Sequence, residues 1–426
     1  MTPDTAPPGL AATTYRRLRR HMSPSLALAG KFAGQGAVEV RGQGCRVRLS
    51  DGRDVLDFGS YAVTLLGHRH PAVVDAVRRQ LDEMPVATRS LGNPLTAAAA
   101  EELAGYLGSP LDRVYFGTGG AEVVEAAVKL ARLVTGRRTV VAVEGAYHGK
   151  TLGALALTHQ ERFRTGLEGL LGGVVHVDPA DAAAVGRVAR EGDLAAVVFE
   201  PVQGEHGVVP LREDVLAAWC ADARAAGAFT VADEIQVGLR RTGERSAALG
   251  SGLEVDAVLL GKALGGGVMP VAAAVCTDRL YQPLLDDPFL HTSTFGGQPL
   301  AMAAVPAALR AVEDHAENGA LIAESIGRGL VGLCADFPDV LTEVRGRGLI
   351  WGLDFTSPEH AGEVIVALAR HGLLVSPCLS RPRTLRLLPP LVATEDDVRA
   401  ALEMLAAALS EARSALEGVR PREAVR

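Results

Sequence analysis

Three short segments decide the fold of this chain: AAVVFE (195–200), AFTVAD (228–233) and AVLLGK (257–262). Each is an apolar run that ends in a charged residue, namely Glu200, Asp233 or Lys262. Apolar runs of this length are typical of strands that are buried on both faces of a parallel sheet. Ligands of open parallel sheets bind at the carboxyl ends of the strands, so the sequence predicts these charged residues beside a ligand.

The combination of Asp233 and Lys262 indicates a specific chemistry. Enzymes that use pyridoxal 5'-phosphate need a lysine that forms a Schiff base and an acid that holds the pyridinium nitrogen. Glycines at 261 and 265–267 surround the lysine and leave room for a flat ring. Each residue also has a simpler interpretation: Lys262 could be a solvated lysine in a glycine-rich loop, and Asp233 could cap the next helix.

Composition excludes several classes of function. The 426 residues carry a formal net charge of −7, which gives no electrostatic basis for binding nucleic acid or an anionic membrane. No uncharged run approaches the roughly 20 residues of a membrane span, and the N-terminus lacks the apolar core of a signal peptide. The five cysteines are odd in number and form no CxxC motif. We therefore expect no disulfide framework and no metal site, and a reducing cytoplasmic location.

The order of patterns along the chain predicts two domains. From about 70 to 300, helical and strand patterns alternate, which is typical of βα units on a mostly parallel sheet. Residues 36–58 alternate like antiparallel strands, and the pattern after about 310 is that of an α+β unit. We expect a large α/β domain over 60–309 and a smaller α+β domain formed by 1–59, with an N-terminal arm, together with 310–426.

A glycine-rich turn, FGTGGAE (116–122), precedes a predicted helix over about 121–134. Free N–H groups at a helix N-terminus attract anions, so this turn suits a phosphate. The dinucleotide motif GxGxxG does not match, because Glu122 stands where the third glycine belongs.

A second candidate segment, YHGKT (147–151), follows a predicted strand over 139–143. An aromatic residue at a strand end, here Tyr147, can stack on a planar cofactor. The alternative is a core tyrosine whose hydroxyl has a partner.

In this order and spacing, the motifs resemble those of the class III pyridoxal-phosphate-dependent aminotransferases, which have fold type I, that of aspartate aminotransferase. The resemblance covers about residues 35–410 and rests on seven stretches: FGTGGAEVVEAAVKLAR (116–132), AYHGKTLGALALT (146–158), FEPVQGEHGV (199–208), ADEIQVGLRRTG (232–243), LGKALGGGVMP (260–270), HTSTFGGQPLA (291–301) and LRLLPPL (385–391).

The resemblance implies a set of cofactor-binding residues. Lys262 forms the Schiff base and moves the proton, Asp233 pairs with the pyridine nitrogen, and Tyr147 stacks on the ring. The further residues expected at the cofactor are Gly119, Gly120 and Ala121 at the phosphate, Gln236 at the ring hydroxyl, His148, Glu200, and Ser293 with Thr294. The last two are expected to reach the phosphate of a neighbouring subunit, which implies a homodimer with shared sites.

The resemblance also implies a substrate site. Arg386 is expected to bind the α-carboxylate of glutamate or 2-oxoglutarate bidentately. Glu205 is expected to neutralise Arg386 when an amine substrate enters. A plain structural ion pair is the alternative. Lys150 stands where many relatives have an arginine that binds a substrate carboxylate, and a lysine is a point charge rather than a fork. HGKT (148–151) and DDPFLHTSTFGG (286–297) look most like the diamine, or putrescine-type, branch.

The leading hypothesis is thus an aminotransferase with a ping-pong mechanism. It would move an amino group between an ω-amine, a diamine or an ω-amino acid and a keto acid such as 2-oxoglutarate; the partner could also be a biosynthetic aldehyde or ketone, free or on a larger molecule. Two alternatives remain open: an aminomutase, epimerase or decarboxylase on the same scaffold, and a non-catalytic protein with this fold.

Overall fold

The computed structural model describes residues 6–88 and 90–417. These residues form fourteen α-helices: α1 (Leu10–His21), α2 (Pro24–Ala33), α3 (Pro71–Glu83), α4 (Pro94–Leu107), α5 (Gly120–Thr135), α6 (Leu152–Leu157), α7 (Ala184–Ala189), α8 (Glu213–Ala225), α9 (Ala247–Gly250), α10 (Asp278–Asp286), α11 (Pro299–Asp314), α12 (Ala316–Asp336), α13 (Pro358–His371) and α14 (Glu395–Glu417).

The same residues form seventeen strands: β1 (Glu39–Gln43), β2 (Arg46–Leu49), β3 (Asp54–Asp57), β4 (Arg113–Gly117), β5 (Thr139–Val143), β6 (Val174–Val177), β7 (Leu194–Phe199), β8 (Val202–Gln203), β9 (Val209–Pro210), β10 (Phe229–Asp233), β11 (Ala257–Leu260), β12 (Ala272–Cys276), β13 (Leu341–Arg347), β14 (Ile350–Phe355), β15 (Leu373–Leu374), β16 (Ser376–Pro377) and β17 (Thr384–Leu387).

A seven-stranded sheet in the order β4-β12-β11-β10-β7-β5-β6 forms the centre of the molecule. Strands β7, β10 and β11, which contain the three segments quoted first, are parallel neighbours, and all their residues are buried. Their side chains alternate between the two faces: Val258 and Leu260 join one apolar cluster, whereas Ala257 and Leu259 join the other. Burial on both faces explains why these strands are continuously apolar.

The expected mostly parallel sheet is confirmed, with one exception. Strand β12 runs antiparallel to both β11 and β4. It follows β11 without a crossover helix, and a direct return of this kind places the next strand antiparallel. Its alanine-rich sequence, AAAVC (272–276), carries few β-branched residues, and the sequence analysis did not assign it as a strand.

Two smaller sheets lie beside the central one, in the orders β1-β2-β3-β15 and β13-β14-β17-β16. The antiparallel pairing expected within 36–58 is present, and β3 also pairs with β15 from the C-terminal part, with Leu373 opposite Leu56. Helix α11 crosses the predicted boundary at 309/310. The division into two domains stays a prediction, and residues 1–5, 89 and 418–426 of those domains lie outside the described ranges.

The predicted N-terminal arm forms α1 and α2. Helix α1 buries none of its residues, and its arginines at 16–20 are wholly or largely exposed. Within the described ranges, no helix is both long enough and apolar enough to cross a membrane.

A charged cluster joins α11 to the loop after β10. Glu313 accepts hydrogen bonds from Arg240 Nε (2.9 Å) and Nη2 (2.7 Å), from Arg245 Nη2 (3.2 Å) and from the Tyr106 hydroxyl (2.7 Å). The Arg240 fork is the main cause that lowers the pKa of Glu313 to about 2, against the opposing effect of burial. The carboxylate therefore stabilises the fold in its ionised form.

We expect Glu313→Gln to lower the melting temperature at neutral pH. A carboxyl group whose folded-state pKa lies below its ordinary value of 4.5 stabilises above pH 4.5 and loses this effect as the pH falls toward 2. The difference in melting temperature between wild type and variant should thus shrink between pH 6 and pH 3. A difference that stays constant over this range would contradict the assignment.

Candidate active site

The carboxyl edge of the central sheet opens into a cavity of about 470 Å³. Glu200 follows β7, Asp233 ends β10 and Lys262 follows β11, so three neighbouring strands deliver them to one place. Ten of the predicted site residues line this cavity: Gly120, Ala121, Tyr147, His148, Lys150, Glu200, Glu205, Asp233, Gln236 and Lys262.

Lys262 is the first residue of a short 3₁₀ turn and has φ +45°, a conformation that costs energy for any residue with a Cβ. Burial lowers the pKa of its ammonium group, although the negative charge of Asp233 partly opposes this. A lowered pKa increases the fraction of neutral amine, which is the nucleophilic form.

Asp233 is fixed by two contacts inside the cavity wall. Its Oδ2 lies 2.7 Å from His148 Nδ1, and its Oδ1 accepts a hydrogen bond from the N–H of Ile235 (3.2 Å). Burial alone would lower the pKa of His148, but the Asp233 carboxylate outweighs it and raises that pKa. A buried carboxylate held in this way can bind a protonated ring nitrogen.

The glycine turn leads from β4 into α5 as predicted. Gly120 opens the helix, and a Cβ there would lie 2.9 Å from Ile235 Cδ1, so a larger residue would require the Ile235 side chain to shift. Among the described residues, no side chain caps this N-terminus; Glu122 instead accepts the N–H of Thr118 (2.6 Å). The N–H groups of Gly120 and Ala121 are therefore left for an anion at the cavity wall.

Tyr147 and Lys150 line one side of the cavity, and Phe163 packs beside both of them. The backbone N–H of Tyr147 donates to Glu200 Oε1 (2.9 Å), and burial raises the pKa of Glu200 to about 7. Lys150 Nζ lies 4.3 Å from the centre of the Phe163 ring and 5.9 Å from that of Tyr147. The lysine thus makes cation–π contacts at the cavity wall.

Glu205 and Arg386 form a buried ion pair. Glu205 Oε1 lies 2.8 Å from Arg386 Nη1, which also donates to Gln236 Oε1 (3.2 Å), and Glu205 Oε2 accepts the N–H of Leu379 (3.1 Å). Burial alone would raise the pKa of Glu205, but Arg386 and this N–H outweigh it and lower the pKa. In the described part of the chain, Arg386 Nε and Nη2 have no hydrogen-bond partner.

Four predicted residues do not line the cavity. Arg386 reaches the cavity through two of its lining residues, Glu205 and Gln236, and Gly119 precedes the helix whose first residues line it. Ser293 and Thr294 lie in the loop between α10 and α11, and Thr294 is exposed. Burial alone would raise the pKa of Glu122, but hydrogen bonds, among them one with Ser293, outweigh burial and lower it. Their predicted contact with a neighbouring subunit stays a prediction.

Sequence reasoning did not name four residues of the cavity: Tyr61, Gly149, Ile235 and Leu379. Gly149 lies within the segment YHGKT (147–151), between two residues that were named. Ile235 directly follows the Asp-Glu pair at 233–234, and that position could have identified it. Tyr61 lies in a turn in which residues 60–62 all have positive φ, although none is a glycine that would have signalled it. Leu379 comes from the C-terminal part, far away in sequence.

Comparison with known proteins gives consistent results. The family model "Aminotransferase class-III" matches residues 33–409. A putrescine aminotransferase of Pectobacterium atrosepticum is 37% identical over 394 residues, which are 90% of this chain and 83% of that protein. The ornithine aminotransferase of Toxoplasma gondii, solved with partial occupancy of PLP at its active site, superposes with TM-score 0.87, 28% identity and coverage of 98% and 96%. The acetylornithine aminotransferase of Elizabethkingia anophelis gives TM-score 0.80, 28% identity and coverage of 94% and 99%.

Members of this family depend on pyridoxal 5'-phosphate, and the cavity has the groups that this cofactor needs. An amine is available at Lys262, a buried carboxylate at Asp233 and an uncapped helix N-terminus at Gly120. Glycine at position 120 leaves this wall without a side chain, and Ile235 packs closely against it.

We expect Asp233→Asn to retain the cofactor weakly and to reduce turnover by roughly 10²–10³-fold, because a preorganised charge at the ring nitrogen is lost. The measurement is turnover together with the absorbance of bound cofactor. Lys262→Ala is the matched control and should release the cofactor on dialysis. A fully active Asp233→Asn variant would refute the assignment of Asp233.

Proposed function

Because this chain belongs to the class III aminotransferases, we propose that it moves an amino group between a diamine, ω-amine or ω-amino acid and a keto acid such as 2-oxoglutarate. A biosynthetic aldehyde or ketone is a further partner of the same chemical type. The observation that carries this proposal is the buried Glu205–Arg386 pair at a cavity that also contains Lys262.

Pyridoxal 5'-phosphate, when bound, supplies the carbonyl that accepts the amino group and a ring that stabilises a carbanion. Lys262 would hold it and would take and return the proton of the substrate carbon, since burial lowers the pKa of its ammonium group. Asp233 would keep the ring nitrogen protonated, and the N–H groups of Gly120 and Ala121 would bind the phosphate. Tyr147 and Ile235 supply the flat and apolar surface of the cavity.

The Glu205–Arg386 pair allows one cavity to accept two kinds of substrate. With the pair closed, as observed, the positive charge of Arg386 is neutralised, and an amine without an α-carboxylate can enter. A dicarboxylate can replace Glu205 as the partner of Arg386, and the Nε and Nη2 atoms that have no partner in the described structure are available to it. A reaction within one substrate, as in an aminomutase or epimerase, needs no such exchange.

Two features favour a donor without a carboxylate. The putrescine aminotransferase relative acts, by its name, on a diamine. Lys150 packs over Phe163 instead of presenting the fork that binds a carboxylate bidentately.

The assembly and location are proposed on separate grounds. Exposed Thr294 suits a contact to the cofactor phosphate of a second copy, so we expect a homodimer with shared sites. All five cysteines are free thiols, which suits the cytoplasm.

The test follows the absorbance of the bound cofactor while single amines are added to the purified protein: putrescine, cadaverine, ornithine, 4-aminobutyrate, β-alanine, glutamate and alanine. We expect glutamate and at least one diamine or ω-amino acid to convert the cofactor to its aminated form. Conversion by glutamate or alanine alone would point to a specialised carbonyl partner. Release of carbon dioxide, or isomerisation without a keto acid, would replace the proposal by a decarboxylase or an aminomutase.

We expect Glu205→Gln to lower kcat/KM for putrescine by about tenfold or more, since the variant leaves Arg386 buried without its counter-ion when the amine binds. The value for glutamate should stay the same or rise, because the competing carboxylate is gone. Single-turnover kinetics with each amine measure the ratio. An equal loss for both substrates would contradict the exchange of partners.

A further inference from the structure

Glu205 lies in a short loop that its own hairpin holds weakly. The loop, residues 204–208, connects β8 and β9, which pair through only two residues each. Its end is strained at Val208, which has φ +57°, a value that is rare for a β-branched residue. The preceding Gly207 has φ +101°, which glycine adopts without strain. A strained backbone of this kind persists only when its surroundings hold it.

Arg345, on strand β13 of the neighbouring sheet, fixes the end of this loop by a hydrogen bond. Its Nε donates to the carbonyl of Gly207 (2.7 Å), two residues after Glu205. The contact is close: a Cβ at Gly207 would lie 2.7 Å from Arg345 Nη2. Of the other guanidinium atoms, Nη2 donates to Asp354 Oδ1 (2.8 Å) and Nη1 donates to exposed Glu343 (2.8 Å).

Asp354 connects this contact to the strand of Arg386. Its buried carboxylate also accepts hydrogen bonds from the hydroxyl of Thr384 and from Arg381. On β14 and β17, Asp354 is opposite Thr384 and Gly352 is opposite Arg386, so both pairs lie on the same face. A Cβ at Gly352 would lie 2.5 Å from the carbonyl of Gly207, so the loop packs directly on this face.

The segment that contains Leu379 completes the arrangement. The N–H of Ser380 donates to the backbone carbonyl of Glu205 (3.0 Å), and Arg381, the next residue, binds Asp354. The backbone of the loop is thus held at Glu205 itself and at Gly207, two residues further on. Arg386 is already held in the β-sheet, so the loop is the member of the pair that needs the additional contacts.

We propose that Arg345 and Asp354 are positioning residues that hold the Glu205 loop against the strand of Arg386, so that the ion pair closes whenever an amine without a carboxylate occupies the cavity. This inference rests on the proposed function. With the backbone fixed, exchange of partners needs only rotation of the Glu205 side chain. Without these contacts Glu205 would close on Arg386 less often, and the amine half-reaction would suffer selectively.

The experiment uses the holoenzyme and measures both half-reactions in single turnovers. We expect Arg345→Lys, which keeps the charge but cannot reach all three acceptors, to lower kcat/KM for putrescine by about fivefold to tenfold, mainly through KM, and to leave glutamate unchanged. Arg413→Lys is the matched control, because Arg413 binds Asp339 and the carbonyl of Asp336 in the same part of the fold. It should change neither substrate.

A double-mutant cycle separates positioning from general destabilisation. In the Glu205→Gln background, Arg345→Lys should cause no further loss for putrescine, because it acts through Glu205. Losses that add, or that are equal for both substrates, would refute the inference. If Arg345→Lys does not fold, Asp354→Asn takes its place in the same cycle. If Glu205→Gln leaves the ratio of kcat/KM for putrescine to that for glutamate unchanged, the proposed exchange itself is refuted. If Glu205→Gln changes this ratio but Arg345→Lys does not, only the present inference is refuted.

Discussion

The structure depends on the compensation of buried charge at one edge of the sheet. Asp233, Glu205 and Arg386 are buried and Lys262 is partly buried, and an isolated charge in such surroundings is strongly unfavourable. Every one of these carboxylates has a cationic or N–H partner, and the lysine responds by a lowered pKa. The same balance leaves an amine of lowered pKa and a buried ion pair at one cavity.

The architecture explains how these charges come together. Three fully buried parallel strands bring Glu200, Asp233 and Lys262 to one edge, and their apolar residues anchor that edge in both clusters of the core. Arg386 arrives from a different sheet, on β17, and meets Glu205 only because the loop after β8 packs on that sheet. The cofactor is therefore proposed to bind where neighbouring strands of one sheet meet, and the substrates are proposed to differ where two sheets meet.

Much of this was predictable from the sequence, for physical reasons. Strands buried on both faces leave a continuous apolar pattern, and a charge directly after such a strand lies at its carboxyl end, which identified Glu200, Asp233 and Lys262. The resemblance to a known family supplied Glu205 and Arg386. Tyr61, Leu379 and the contacts of Arg345 with Gly207 were not predictable, because they depend on a strained turn without glycine and on packing between distant segments. The alanine-rich β12 was missed because its composition lacks a strand signal.

The most direct test of this account is a crystal structure of the holoenzyme with glutarate, a dicarboxylate that cannot react. We predict that one carboxylate of glutarate binds two guanidinium nitrogens of Arg386 and that the Glu205 side chain rotates away, while the backbone of residues 204–208 stays in contact with Arg345. A structure in which Glu205 remains on Arg386 with glutarate bound elsewhere in the cavity would contradict it.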